Sequence, residues 1–330
     1  MRSFFLSQDY LTTLERCPRQ YQYVYVDRLT TPASVTKERA QEWGKRFHQL
    51  MQQQALGLPL ESVLGNLPTR ADHPDPPAET TLPPKIQPAQ TPLSEIQFQQ
   101  ELAHCLHTLG EQEPSIFGKT AQDTLQGDHP QTDRIQHSEH SRTLLWQSLP
   151  SRNIHTQTAQ IQTVIPDRWL LRVIYDRLVL TPQTAEILDW KTYPQPPDLH
   201  RIKQHWQTRL YLFVLAETSA YAPEQLSMTY WFVRHINDRG VLSPQSYTIP
   251  YDRQTHEQTR TDLTHWIDRL TQWYQAYENP DYKKPDYETA PPFPMLPESS
   301  PQCHTCPFNQ RCQRSPASFQ VNYNHAIHRI

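Results

Sequence analysis

An acidic residue and a lysine, Asp189 and Lys191, stand two positions apart in a run of mostly apolar and β-branched residues. In a β-strand, residues two apart point to the same face, so the carboxylate and the ammonium would share one side of a sheet. Asp176 lies in the preceding apolar run, and pairing of the two runs would bring both acids together. Two carboxylates can bind a hard cation such as Mg²⁺ or Mn²⁺, and a nearby lysine can orient water or stabilise charge on a phosphorane. The grouping therefore suits hydrolysis of a phosphodiester.

A buried structural ion pair is the alternative interpretation of Asp189 and Lys191, because a charged pair inside a protein needs no catalytic role. A second match to the same spacing, Asp281 and Lys283, lies in a proline-rich segment with no upstream acid and is rejected for that reason. The strand context favours Asp189 and Lys191 as the chemically useful pair.

Two predicted helices carry residues spaced one turn apart, which places each pair on one helix face. Gln207 and Tyr211 follow the acid–lysine strand and could reach a metal or a substrate phosphate. Gly44 and His48 lie in an earlier helix, where the glycine would allow close approach to the sheet and the histidine would add a ligand. Such pairs are common on helices, so neither pair indicates a functional site unless it lies near the acid and the lysine of the strand.

The segment 303–312 holds three of the five cysteines at ligand-like spacing: Cys303, Cys306 and Cys312. A tetrahedral site needs a fourth ligand, and Cys17 is the natural choice. Cys105 lies among apolar residues of a predicted helix and is expected to be structural. Four thiolates could hold either a [4Fe–4S] cluster or Zn²⁺, and the spacing does not choose between them. Pairing Cys17 with the C-terminal set would tie the two ends of the chain together.

Composition limits the class of protein. The chain has 330 residues, 31 prolines, only seven glycines and a formal net charge of −3. The few glycines exclude glycine-rich nucleotide loops, and the charge excludes a wholly basic nucleic-acid binder while allowing a local positive groove. No stretch is apolar enough for a membrane span, so a cytoplasmic protein without a membrane partner is expected. In a reducing compartment, metal ligation is a better interpretation of the cysteines than disulfides.

Hydrophobic periodicity predicts the positions of the helices and strands. Helices are expected at about 7–17, 37–56, 94–109, 201–217 and 254–277, and strands at 159–165, 169–180, 184–192, 225–235 and 241–251. Only turn-like pieces separate the first three strands, which should therefore be consecutive and antiparallel. A proline-rich insertion at 57–93, expected to be disordered, and a polar loop at 110–142 interrupt the pattern. The order predicts one α/β domain over 1–330 with a mixed sheet flanked by helices.

Together these features resemble the PD-(D/E)XK nuclease superfamily. The likeness is greatest to its RecB-like branch, which includes the AddB nuclease domain and CRISPR-associated exonucleases with a four-cysteine iron–sulfur cluster. It rests on six short pieces in the family's order: Cys17-Pro18-Arg19-Gln20-Tyr21, Gly44-x3-His48, Asp176, Asp189-Trp190-Lys191-Thr192, Gln207-x3-Tyr211 and Cys303-x2-Cys306-x5-Cys312. The resemblance implies a restriction-endonuclease-like core of order α-β-β-β-α-β, with its N- and C-terminal ends joined by the four-cysteine site.

The resemblance also implies a role for each site residue. The ligands of Mg²⁺ or Mn²⁺ would be His48, Asp176, Asp189 and the backbone carbonyl of Trp190. The catalytic set would be Asp176, Asp189, Lys191, Gln207 and Tyr211, with the last two lining the site and contacting DNA. The [4Fe–4S] ligands would be Cys17, Cys303, Cys306 and Cys312, with Zn²⁺ as the alternative. Basic side chains expected along a DNA groove are Arg172, Arg177, Arg201, Lys203 and Arg209.

The expected function is metal-dependent hydrolysis of DNA, by an exonuclease acting on single strands or ends in DNA processing, repair or a CRISPR-type role. The chain shows no helicase motif, so a helicase or another DNA-processing protein would be a separate partner. The alternative is a scaffold that keeps the fold and the cluster but binds DNA or a partner without cutting. Val173 favours this alternative because the family usually has glycine three residues before the first acid, and the preceding strand also lacks the family's frequent glutamate.

Overall fold

The computed structural model describes residues 4–31, 35–55, 95–112, 156–160, 169–193, 196–279 and 292–314. The chain divides into two compact units, the first formed by residues 1–8 and 33–267 and the second by residues 9–32 and 268–330. The first unit holds the strands and the acid–lysine pair, and the second holds the four cysteines of the predicted set. Within the described ranges, no helix is long and apolar enough to cross a membrane.

The long helices were predicted to within a few residues. The described helices are α1 (Gln8–Arg16), α2 (Pro18–Tyr21), α3 (Val35–Ala55), α4 (Glu95–Gln112), α5 (Leu199–Gln204), α6 (Trp206–Thr218), α7 (Arg253–Glu278) and α8 (Pro301–His304). Helix α4 continues to Gln112, beyond its predicted end at Leu109. The remainder of the predicted loop at 110–142, the insertion at 57–93 and the rejected Asp281–Lys283 match lie outside the described residues.

The prediction of one helix over 201–217 is wrong, because the chain breaks at His205 between α5 and α6. His205 has extended backbone angles, φ −66° and ψ 140°, and its Nδ1 accepts a hydrogen bond from the backbone N–H of Gln207 at 3.2 Å. The ring thereby caps α6 by satisfying one of the N–H groups that a helix start leaves unpaired. The break places Gln207 in the first turn of α6.

The strands form a three-stranded and a four-stranded sheet, of order β1-β3-β2 and β4-β5-β6-β7. They are β1 (Phe4–Leu6), β2 (Thr156–Gln160), β3 (Trp169–Ile174), β4 (Arg177–Leu180), β5 (Ala185–Lys191), β6 (Leu226–Phe232) and β7 (Gln245–Pro250). The pairs β1–β3 and β5–β6 are parallel, and the other neighbours are antiparallel. Both sheets are mixed, and with the helices they are compatible with a restriction-endonuclease-like fold.

The predicted single strand over 169–180 is also wrong. Tyr175 and Asp176 interrupt it, and its two halves, β3 and β4, belong to different sheets. Tyr175 is buried, and its hydroxyl donates to the backbone oxygen of Tyr211 at 3.1 Å. The antiparallel register that pairs Arg177 with Leu188 brings Asp176, one residue before β4, alongside β5 near Asp189.

One apolar cluster packs α3 and α4 against the ends of β5 and β6. Its members are Trp43, Phe47, Leu50, Met51, Leu102, Cys105, Leu106, Leu109, Leu188, Trp190, Trp231 and Val233. Leu188 and Trp190 thus face the helices, so Asp189 and Lys191 lie on the opposite face of β5. Cys105, predicted as a semi-buried structural residue, is fully buried in this cluster, and burial raises the pKa of its thiol to about 12.

The second unit has an aromatic core that packs around Tyr21, the last residue of α2. Pro18 occupies the first turn of this helix directly after Cys17, a position that suits the fixed backbone of proline. Tyr21 is buried and its hydroxyl lies 3.4 Å from that of Tyr274. Phe293 stacks on Tyr21 with ring centroids 6.0 Å apart. These contacts fix the short helix that follows Cys17.

Gly44 marks a close approach of α3 to the end of β5. A Cβ atom at this position would lie 3.1 Å from Thr192 Oγ1, closer than most side chains tolerate. We expect Gly44→Val to lower the free energy of unfolding by about 1–3 kcal/mol through overpacking, and to weaken any activity that needs His48 one turn later. Urea denaturation of this variant beside Lys45→Val, an exposed position on the same helix, measures the effect. Equal stability of the two variants would contradict the close approach.

Candidate active site

Strand β5 presents Asp189 and Lys191 side by side. It is an inner strand, between β4 and β6, and Asp189 is only 3% exposed. The Nζ atom of Lys191 lies 2.8 Å from Asp189 Oδ1, and it also lies 5.2 Å from the ring centroid of Tyr230 on β6. A buried carboxylate is costly unless a positive partner compensates it, and Lys191 is that partner here.

Gln207 joins the acid and the lysine through its side-chain amide. Its Nε2 donates to Asp189 Oδ2 at 2.5 Å, and its Oε1 accepts from Lys191 Nζ at 2.7 Å. One amide therefore holds both charged groups in a fixed relation. Tyr211, one turn later, is buried and packs its ring edge-on against Tyr175, with centroids 5.5 Å apart.

Asp176 and His48 form a second pair next to the first. Asp176 Oδ2 accepts a hydrogen bond from the backbone N–H of Trp190 at 2.9 Å, and its Oδ1 lies 3.1 Å from His48 Nδ1. The His48 side chain is 38% exposed, whereas that of Asp189 is nearly inaccessible. The structure thus brings Asp176, Asp189 and Lys191 together on adjoining segments, with His48 at the more open side.

The buried position of Asp189 changes its proton affinity. Burial raises its pKa to about 6, and the negative charge of Asp176 acts in the same direction while Lys191 opposes both. Asp189 Oδ1 is buried and receives no well-aligned hydrogen bond from the described residues, although Lys191 Nζ is close to it. This oxygen therefore keeps a lone pair that a cation could use.

The pKa values of two histidines near the site are shifted in opposite directions. Burial alone lowers the pKa of His48, but the hydrogen bond and charge of Asp176 outweigh it, and the pKa lies above its ordinary value. Burial, with a contribution from Lys191, lowers the pKa of His205 to about 4. His205 is therefore neutral near pH 7, and because its Nδ1 accepts from Gln207, its hydrogen lies on Nε2.

The acids could serve a hard cation but do not complete a site alone. In the part of the chain that the structure describes, no group of three or more His, Cys, Asp and Glu residues has an arrangement that could hold a metal ion. Mg²⁺ commonly binds through one or two carboxylates and fills its other positions with water and substrate phosphate. Asp176 and Asp189, whose Oδ1 lies 2.8 Å from Lys191 Nζ and has a further lone pair, fit that kind of donor set.

Sequence reasoning missed two neighbours of the site and misplaced one basic residue. His205 went unnoticed because histidine is not a typical capping residue. Tyr230 went unnoticed because it is aligned with Asp189 only through the parallel pairing of β5 with β6, which the sequence does not show. Arg209, expected in a DNA groove, is instead buried, forms an ion pair with Asp262 and lies over the ring of Trp206 at 4.3 Å. It is held within the first unit.

The four cysteines of the predicted set line one small cavity in the second unit. Cys17, Cys303, Cys306 and Cys312 all contribute to its wall, and its volume is about 20 Å³. Burial raises the pKa of Cys306 and of Cys312, and the other cysteines contribute in the same direction. The thiols are therefore near one another, although they are not in a ligating arrangement. The donor chemistry fits a soft metal or an iron–sulfur group.

Comparison with protein families agrees with this geometry. A family model described as the PD-(D/E)XK nuclease superfamily matches residues 6–313. Because that match covers most of the sequence, the chain belongs to the PD-(D/E)XK nuclease superfamily, whose members hydrolyse phosphodiester bonds with divalent metals such as Mg²⁺ and Mn²⁺. A comparison with curated proteins found no match.

The raised pKa of Asp189 predicts an acid limit for metal-dependent cleavage. Only the ionised carboxylate can bind a cation, and its fraction falls as the pH drops through about 6. We expect kcat/KM to fall about tenfold per pH unit below about 6, since this parameter reports the free enzyme. Initial rates at a fixed metal concentration well below saturation, between pH 4.5 and 8, give the profile, because a saturating cation would itself displace the proton from the carboxylate. Circular dichroism verifies that the fold persists. A profile that stays flat down to pH 5 would contradict a role for ionised Asp189.

Proposed function

We propose that this protein is a Mg²⁺- or Mn²⁺-dependent deoxyribonuclease of the RecB-like branch, which degrades DNA from ends and prefers single strands. The observation that supports the proposal most is the convergence of Asp176, Asp189 and Lys191, with Gln207 bonded to the last two. A purely structural ion pair would not require a second carboxylate beside it, because every added acid raises the cost of burying the first. The arrangement is understandable if a cation offsets that charge.

In this proposal, the reacting phosphate lies between the carboxylates of Asp176 and Asp189 on one side and the ammonium group of Lys191 on the other. A divalent cation bound by Asp176, Asp189, His48 and the backbone carbonyl of Trp190 would supply Lewis acidity and an acidified water. Lys191 would release its contact with Asp189 and neutralise charge that develops on the phosphate oxygens. Water attacks phosphorus in line and the 3′ oxygen leaves.

Gln207 and His205 would position the site before the substrate is cleaved. The amide of Gln207 holds Lys191 Nζ within the site, so that the lysine loses fewer side-chain conformations when it moves from Asp189 to the substrate phosphate. The cap from His205 holds Gln207 at the helix start. Tyr211, on the same helix, would support the site and contact DNA. Exposed Arg201 and Lys203 on α5 would attract the phosphate backbone.

For the second unit, we propose a [4Fe–4S] cluster held by Cys17, Cys303, Cys306 and Cys312, with Zn²⁺ as the alternative. The shared cavity supports this assignment, because four thiols seldom meet in one place without a metal to bind. The role would be structural. The enzyme would work in DNA processing or repair, beside a helicase or another protein that exposes DNA ends.

The decisive experiment incubates the purified full chain with end-labelled linear single strands, linear duplex and circular single strands. Each substrate is tested with Mg²⁺, with Mn²⁺ and with a chelator. We expect metal-dependent degradation of linear single strands, slower degradation of duplex, and intact circles, because an exonuclease requires an end. Degradation of the circular strands would indicate an endonuclease rather than an exonuclease. Binding of DNA without cleavage products would indicate the non-cleaving scaffold.

A further inference from the structure

Arg19 is a buried cation whose hydrogen-bonding groups are largely unused. Its side chain belongs to the second unit and the residue is 6% exposed. Nη1 donates to Gln22 Oε1 at 2.8 Å, whereas Nε and Nη2 are buried without a hydrogen-bond partner among the described residues. Arginine stays protonated in proteins, so this is a permanent positive charge.

The acid closest to Arg19 in this hydrogen-bond chain is already engaged. Gln22 Nε2 donates to Asp27 Oδ2 at 3.3 Å, and Tyr277 donates to Asp27 Oδ1 at 2.8 Å. Arg19 thus reaches Asp27 only through Gln22. A buried charge without a direct counter-charge is unfavourable, and such charges are normally paired or bound to an ionic ligand. The described surroundings leave Arg19 in need of an anion.

The cysteine cavity lies next to this charge. The guanidinium carbon of Arg19 is 5.9 Å from the ring centroid of Tyr23, which lines the cavity. Cys312 Sγ lies 3.9 Å from the hydroxyl oxygen of the same tyrosine. Tyr23 therefore separates a permanent cation from a set of four thiols.

Neutral thiols would not compensate Arg19, but a metal-bound set would. Four thiolates around Zn²⁺, or around a [4Fe–4S]²⁺ core, carry a net charge of about −2. We infer that Arg19 is the buried counter-charge of an anionic four-thiolate metal group in this cavity and acts as a positioning residue that retains the group. The inference rests on the cluster proposed above and adds that its bound form is anionic and held in part by Arg19.

Two other arginines near the cavity differ from Arg19 in ways that make the test specific. Arg311 lies 5.3 Å from the same Tyr23 ring but is exposed, so solvent screens its charge. Arg314 donates to the backbone oxygen of Leu296 and lies 3.8 Å from Glu298 Oε2. Arg311 is therefore a matched control, with the same side chain beside the same ring but without burial.

The inference predicts that charge removal has opposite effects in the metal-free and metal-bound protein. Arg19→Met should melt at the same or a higher temperature than the wild type without metal, because an uncompensated charge is gone. With metal bound, it should release the metal to a chelator about 10- to 100-fold faster, as expected when a supporting outer partner is lost. Arg19→Lys keeps the charge and should stay within a few-fold of the wild type, as should Arg311→Met.

The full chain and its three variants are purified without metal and loaded either with Zn²⁺ alone or with ferrous iron and sulfide under anaerobic conditions. Metal content, melting temperature and the rate of loss to a chelator are measured for each. For the iron form, the reduction potential should move to lower values in Arg19→Met, because the reduced cluster is the more negative state.

Each result decides between distinct conclusions. If the wild type takes up neither metal, the proposed cluster and the role of Arg19 fail together. If the wild type is loaded and Arg19→Met matches it in metal release and potential, the cluster stands and the role of Arg19 is overturned. Faster release from Arg19→Met and Arg311→Met alike would also overturn it, since an exposed charge would then serve equally well.

Discussion

Replacing Lys191 by alanine should abolish metal-dependent DNA cleavage while the protein stays folded. The ammonium is the cation that the structure places beside both Asp189 and Gln207, so in the proposed mechanism its removal would leave the developing phosphate charge without its protein partner. Loss of one preorganised charge-stabilising donor typically lowers kcat by about 10²–10³-fold, and we expect at least that. Single-turnover rates with saturating Mn²⁺ and labelled single-stranded DNA measure the change, with circular dichroism as the check on folding.

The matched control is Lys45→Ala, which removes an exposed lysine of α3 and should cleave at the wild-type rate. The comparison also separates catalysis from a structural ion pair. If Lys191 served only to compensate buried Asp189, its loss would lower the free energy of unfolding, but the folded fraction would still cleave normally. Undiminished cleavage by folded Lys191→Ala protein would therefore remove the lysine from the mechanism.

Replacing Cys17 by serine should release the metal that we propose for the second unit. Serine keeps the size of the side chain but offers a poor ligand for a soft metal, and three remaining thiols leave the site incomplete. We expect metal affinity to fall by more than about 100-fold, because even outer partners of a ligand contribute 10- to 100-fold. The melting temperature should then no longer respond to added metal, since stabilisation by a ligand requires that the folded state bind it.

Cys105→Ala provides the control for this effect, because Cys105 is buried in the apolar cluster of the first unit. That variant should keep its full metal content and lose stability only through the small void it creates. Metal content and melting curves of both variants, with Zn²⁺ and after iron–sulfide loading, test the prediction. Wild-type metal content in Cys17→Ser would show that the ligand set was chosen wrongly.

The periodicity of the sequence predicted most of the fold, but not the places where the chain leaves regular structure. Trp169–Leu180 is mostly apolar and β-branched, and its charged residues Arg172, Asp176 and Arg177 do not by themselves show that Tyr175 and Asp176 separate two sheets. The break depends on tertiary contacts, namely the buried Tyr175 hydroxyl and the side chain of Asp176. His205 is similar, because its capping hydrogen bond forms only in the folded chain.

The site was more predictable than its surroundings. Asp189, Lys191 and Gln207 were recognisable because a strand places residues two apart on one face, and the helix that follows returns to the same sheet. Sequence could not show that the amide would bond to both partners at once. Nor could it show that Arg209 turns inward or that Arg19 is buried without an anion, since burial is a property of the whole fold.

Asp176 also completes the backbone hydrogen bonding of β5, and this second role limits which amino acids can occupy the position. Pairing with β4 ends at Leu188, and the Asp176 carboxylate then accepts the N–H of Trp190 where a neighbouring strand would otherwise do so. An alanine there would remove a candidate ligand and unpair a main-chain donor at once. Asparagine retains an acceptor oxygen without the negative charge, so Asp176→Asn would separate the loss of a candidate ligand from the loss of the backbone hydrogen bond. Only acids and their amides are therefore expected to be tolerated structurally at this bend.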